Sequence, residues 1–204
     1  MLTLHHLRIG RSLFTVWLLE ELGAEYQLKE YLRDANFRAQ DDLKIIHPLG
    51  KSPVLEHDGL VLAESSAITS YLLQCFDTEN KFSPAPSNLA EWAKYTHWLH
   101  YPEGSVFASM SIDMLSKRDP NPSELLKTFS QAEITLHLDY IAAELADQPF
   151  ILGDQLSGAD FGLSFIISLA QSLGQLEGYP TLAAYLERNK ARPAFQAAVA
   201  KAVE

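Results

Sequence analysis

The chain has 204 residues, of which 47% are hydrophobic and 21% charged, with a formal net charge of −10 and one cysteine, Cys75. This is the composition of a globular protein large enough to bury a core without staples. A single cysteine excludes an intramolecular disulfide, paired-cysteine redox chemistry and a cysteine-built zinc site. The acidic balance, with no basic cluster, excludes the basic face of a nucleic-acid binder, so any anionic ligand must be held by a few local cations and backbone amides.

The opening MLTLHHLRIG lacks the charged start, apolar centre and small-residue cleavage site of a secretory signal. No apolar run approaches the ~18 residues of a membrane helix. The expected location is the cytoplasm.

In chain order, residues 2–7 read as a short strand and Ser12 to Leu22 as a helix apolar on most faces, stopped by Gly23. Alternation over 25–32 predicts a half-buried strand. A polar loop over 34–38 and a short helix over 40–46, ending before Pro48, follow. Two strands, 53–56 and 60–63, flank the turn His57-Asp58-Gly59, and a helix runs over 64–76. The order β-α-β-α-β-β-α is the thioredoxin-like arrangement. The residues from Asp77 to Ser87, rich in proline and serine, read as a linker. Beyond it the pattern is helical, over about 88–116, 122–147, 157–173, 179–190 and 193–202, with Pro102 expected to kink the first of these. The expected organisation is a thioredoxin-like domain over 1–77, a linker over 78–87 and an all-helical domain over 88–204.

The segment His47-Pro-Leu-Gly-Lys-Ser-Pro-Val-Leu-Glu56, followed by Leu62-Ala-Glu-Ser-Ser-Ala-Ile68, resembles the glutathione transferase family. A second match lies in Phe150-Ile-Leu-Gly-Asp-Gln-Leu-Ser-Gly-Ala-Asp-Phe161, similar to the family's capping motif, with Ser157 as N-cap, Asp160 three residues on and Leu156 as the apolar staple. The resemblance covers the whole chain. It implies a cis Ser52-Pro53 bond that turns the Ser52 backbone outward, where its N–H and C=O pair in strand fashion with glutathione's cysteinyl unit. It also implies that Ser65 and the amides at a helix start meet the γ-glutamyl carboxylate, with Glu64 on the ammonium. Lys51 matches a family position for the glycyl carboxylate, and Arg38 is the weaker candidate for that task.

The reactive position of this fold lies at the start of the first helix. It holds no cysteine and no tyrosine; serine-type relatives carry Ser-Arg-Ser where this chain has Gly10-Arg11-Ser12. The first serine is thus Gly10, a departure from the pattern. The expected catalytic pair is Ser12 as hydroxyl donor to the thiol with Arg11 as electrostatic support, while Gly10 offers a backbone N–H to the sulfur. Tyr101, beside the Pro102 kink, is the expected lining of the second-substrate pocket. His5 and His6 point to opposite faces of a strand and His97 and His100 lack a third ligand nearby, so no metal is expected.

The resemblance implies a cytoplasmic homodimer that joins glutathione's sulfur to a hydrophobic electrophile, or uses it to reduce an organic hydroperoxide. Two alternatives stand beside it. One is a binding protein that keeps glutathione or apolar ligands and does little chemistry, as Gly10 suggests. The other is an interaction module, a use of this fold in translation and transcription factors.

Overall fold

The structure, a computed structural model, describes residues 1–202. Four strands, β1 (Leu2–Leu7), β2 (Gln27–Tyr31), β3 (Val54–His57) and β4 (Leu60–Ala63), form one sheet in the order β2-β1-β3-β4. β1 is parallel to β2 and antiparallel to β3, and β4 returns antiparallel to β3. Asp58 and Gly59 turn the hairpin with φ of 48° and 88°, the double positive φ that a two-residue connection needs.

Helix α1 (Ser12–Leu22) carries the β1-to-β2 crossover, α2 (Asp41–Ile46) precedes β3, and α3 (Ser65–Phe76) follows β4. This is the thioredoxin-like arrangement expected. All-helical chain follows: α4 (Leu89–Tyr101), a π-helical turn (Pro102–Val106), α5 (Phe107–Ser116), α6 (Glu124–Leu145), α7 (Gly158–Ser172), α8 (Pro180–Lys190) and α9 (Pro193–Ala202). At Pro102 the missing N–H is absorbed by the π turn, in which the Phe107 N–H reaches back to the Pro102 carbonyl.

The chain divides into two compact units, Met1–Ser83 together with the chain from Asn189 on, and Pro84–Arg188. The last helix therefore packs with the first unit, where a helical domain over 88–204 was expected. The reason lies in α1, whose apolar residues surround the helix and need cover on more than the sheet side. Trp17 is fully buried. Phe195 of α9 meets Trp17 at 5.5 Å and Phe14 at 6.0 Å between ring centroids. Charge fixes the same contact: the Arg192 guanidinium forks onto both Glu21 carboxylate oxygens, and Lys201 Nζ lies 2.6 Å from Glu20 Oε1.

In the second unit the core is built from Val106, Met110, Ile134, Leu138, Ile141, Leu163, Ile166 and Ile167, all buried. The capping segment is organised around Asp160, which is fully buried. Its carboxylate accepts from the Ser157 N–H (2.8 Å), the Ser157 hydroxyl (2.7 Å), the Ile151 N–H (3.0 Å) and the Tyr185 hydroxyl (2.8 Å). Burial pushes this carboxyl above the ordinary range, against four donors that pull it down. Removing the carboxylate orphans all four donors in the core. Asp160→Ala is therefore expected to lower the unfolding free energy by about 3 kcal/mol, read as a drop in the urea midpoint at unchanged slope.

Candidate functional site

Strand register brings the three expected binding segments to one end of the sheet. His5 pairs with Val54, so β1 ends beside Ser52 and Pro53. Val54 pairs with Ala63, so Pro53 lies next to Glu64 and the start of α3. Leu7 pairs with Tyr31, which places the loop after β2 at the same end. Gly10, Arg11, Ser12, Arg38, Lys51, Ser52, Pro53, Glu64 and Ser65 are thus gathered from four stretches of sequence.

The Ser52-Pro53 bond is cis. The Ser52 hydroxyl is spent on the neighbouring strand: it donates to the His5 carbonyl at 2.8 Å and accepts from the Leu7 N–H at 3.0 Å. This bond locks the end of β1 against the proline loop. Glu64 is exposed and has φ 74°, ψ 115°, a positive φ for a residue with a Cβ. Such a backbone costs on the order of 1–3 kcal/mol. Ser65 opens α3 immediately after it, so backbone amides at a helix start adjoin a carboxylate and a hydroxyl.

The β1–α1 turn carries a second positive φ, 56° at Ile9, whose side chain is exposed. Gly10 follows, and Arg11 is the N-cap of α1. Ser12 is 1% exposed; its Oγ lies 2.9 Å from His6 Nδ1 and donates to the Leu7 carbonyl at 3.3 Å. A hydroxyl has one proton, and that of Ser12 has partners within the protein. His6, on the inner face of β1, is fully buried beside it. His5, on the opposite face, meets Tyr31 Oη at 2.8 Å and Glu56 Oε2 at 2.9 Å. The two histidines thus hold neighbouring side chains across the sheet.

The cations expected for the carboxylates are available. Lys51 and Arg38 are exposed, and the Arg38 backbone N–H is fixed by Asp34 Oδ1 at 2.8 Å. Sequence reading missed Arg33, whose Nε, Nη1 and Nη2 donate to the carbonyls of Arg8 (2.9 Å), Phe37 (2.8 Å) and Ile9 (2.6 Å). No local pattern could have signalled bonds that join separate loops.

Tyr101 lies in the second unit, within a ring cluster. It stacks on His97 at 5.3 Å, meets Trp98 and Tyr140 edge-on, and its Oη is 2.6 Å from His137 Nδ1. Burial, with Tyr140 and Glu133 nearby, pushes its phenol up to about 12, so it stays neutral through the ordinary assay range. An open groove of about 450 Å³ in the same unit is lined by Lys94, His97, Trp98, Tyr140 and Glu144 among others.

The family models for the glutathione S-transferase N-terminal and C-terminal domains match residues 1–74 and 117–188. Glutathione S-transferase 1 of Saccharomyces cerevisiae is 32% identical, over 99% of this chain and 95% of its own length. Glutathione S-transferase 3 of Schizosaccharomyces pombe is 34% identical, over 84% of this chain and 75% of its own. A glutathione S-transferase crystal structure from Actinobacillus pleuropneumoniae superposes with a TM-score of 0.91 at 37% identity, covering 100% of this chain and 93% of that one. The chain belongs to the glutathione S-transferase family.

Ser12→Ala removes a buried hydroxyl from between His6 and the Leu7 carbonyl. It is expected to cost about 1–2 kcal/mol, seen as a lower melting temperature of the first unit by calorimetry.

Proposed function

We propose that this member of the family is a working glutathione transferase, with glutathione as co-substrate, bound across the end of the sheet. The observation that carries this reading is the convergence of Ser52-Pro53, Glu64-Ser65 and the Gly10–Ser12 turn on one strand end. Glutathione's cysteinyl unit pairs with the Ser52 backbone as a short added strand. Its γ-glutamyl carboxylate sits at the α3 start on Ser65, and its ammonium on Glu64. Lys51 takes the glycyl carboxylate, with Arg38 as the further cation.

The thiol then lies at the start of α1. Its ordinary pKa is about 8.5, and lowering it by two units takes about 2.7 kcal/mol of preferential thiolate stabilisation. The Gly10 N–H, the α1 N-terminus and the Arg11 guanidinium supply it. Ser12, whose proton already has protein partners, serves by holding the turn. The thiolate attacks a hydrophobic electrophile: a carbon–sulfur bond forms, the leaving group departs with its electron pair, and the thiol proton goes to solvent. An organic hydroperoxide is the other substrate class. Tyr101 is the proposed lining residue for the second substrate, and its high pKa keeps it a neutral hydrogen-bonding wall.

A homodimer in the cytoplasm is the assembly we infer. Its support is the exposed apolar side chains of Leu60 and Val61 on β4 and of Leu126, Phe129 and Leu136 on α6.

The decisive measurement is the ultraviolet absorbance of bound glutathione's thiolate against pH. The expected result is binding with a thiol pKa at least one unit below the free value, and turnover of an aryl halide or a hydroperoxide. Glu64→Ala and Ser65→Ala are each expected to raise Kd about tenfold, and Lys51→Ala somewhat less. Binding with an unshifted thiol and no turnover would instead favour the carrier reading that Gly10 suggests. Absence of binding would leave only an interaction module.

A further inference from the structure

The thiol site has lost the hydroxyl of serine-type relatives at position 10, and the neighbouring loop supplies an unusual cation in its place. We propose that Arg33 is the positioning residue of this site: it fixes and polarises the Ile9–Gly10 peptide so that the Gly10 N–H faces the glutathione sulfur as a strengthened donor. The inference rests on the reading of this turn as the thiolate site.

Three observations carry it. First, the guanidinium spends Nε, Nη1 and Nη2 on the carbonyls of Arg8, Phe37 and Ile9, the last at 2.6 Å. It therefore stitches the β1–α1 turn to the loop after β2. The base of the side chain is itself anchored, because Arg33 pairs with Ala39 and Asp34 Oδ1 accepts from the Asn36 and Arg38 N–H groups.

Second, the Ile9 carbonyl and the Gly10 N–H belong to one peptide unit. In a trans peptide these groups point in opposite directions. A charge-assisted bond to the carbonyl draws electron density from the amide and strengthens its N–H as a donor. Among the described residues nothing accepts from the Gly10 N–H. The same bond holds Ile9 at φ 56°, a conformation a β-branched residue does not adopt without restraint.

Third, a side chain at position 10 would crowd the cation. A Cβ on Gly10 would stand 3.0 Å from Arg33 Nη2 and 3.4 Å from the Leu7 carbonyl oxygen. A serine there would shift the guanidinium by a few tenths of an ångström and weaken its bond to the Ile9 carbonyl. Gly10 and Arg33 are thus one device: the glycine admits the cation, and the cation makes the glycine's amide a better donor.

The experiment compares wild type, Arg33→Met, Arg33→Lys and Gly10→Ala by glutathione Kd, bound-thiol pKa and melting temperature. Arg33→Met is expected to raise the bound-thiol pKa by about one unit with Kd changed by less than about threefold. Arg33→Lys should recover part of the shift, because an ammonium reaches fewer of the three carbonyls. Gly10→Ala should also raise the thiol pKa, and by less in the Arg33→Lys background, where the obstructing nitrogen is gone. A purely structural Arg33 would move the melting temperature alone, leaving the bound-thiol pKa at the wild-type value, and that result would overturn the inference. Should Arg33→Met fail to fold, Arg33→Lys and Gly10→Ala decide the matter by the same readout. If wild type itself binds glutathione with an unshifted thiol, the functional reading fails first, and the positioning role of Arg33 fails with it.

Discussion

The Ser52 hydroxyl stands between the His5 carbonyl and the Leu7 N–H, and the rest of the site is arranged around that bond. β3 begins only at Val54, so the last residues of β1 have no strand partner on that side. A side chain takes the partner's place. The hydroxyl satisfies both a donor and an acceptor of β1, so the strand end is paired without help from the Ser52 backbone. The same bond sets the depth of the turn at Gly10 relative to the proline, and the pairing of Val54 with Ala63 carries the geometry on to Glu64. One short hydroxyl bridge thus ties the turn at Gly10 to the Ser52-Pro53 segment and, through β3 and β4, to the start of α3.

Electrostatically the site runs against the chain as a whole. A formal charge of −10 opposes a ligand bearing two carboxylates, yet Arg11, Arg33, Arg38 and Lys51 all lie at this end of the sheet. Beyond a Debye length of about 8–10 Å the global charge is largely screened, so the local potential at this end of the sheet is set by these cations and their neighbours.

The parts of the candidate site whose local geometry was legible in the sequence were those written in consecutive residues. Ser52-Pro53 and Glu64-Ser65 each sit where a strand or helix begins, and Ser157 with Asp160 is a capping pair three residues apart; local geometry requires such residues, so their spacing survives in the text. What escaped reading is long-range. The Arg33 guanidinium bonds carbonyls of two separate loops, and carbonyls leave no residue-type signal. Ser12 stands where a reactive hydroxyl is expected, but its burial depends on His6 coming from β1. The same holds for α9: its own pattern is an ordinary amphipathic helix, and only the all-round apolar character of α1 hinted that another layer was needed.

That last helix gives the first unit a property of chain topology. Its cover over Phe14 and Trp17 comes from Phe195, and its ion pairs from Arg192 and Lys201. In chain order, the whole of the second unit separates these residues from the strands of the sheet. Because α9 follows the helices of the second unit in the chain, the outer face of α1 gains its cover during synthesis only after those helices have been made. The unit that holds β1 and α1 is thus closed by a contact between Glu21 and Arg192, which stand 171 positions apart. The intervening helices form while an apolar surface waits for cover, a period in which a chaperone's grip would be of most use.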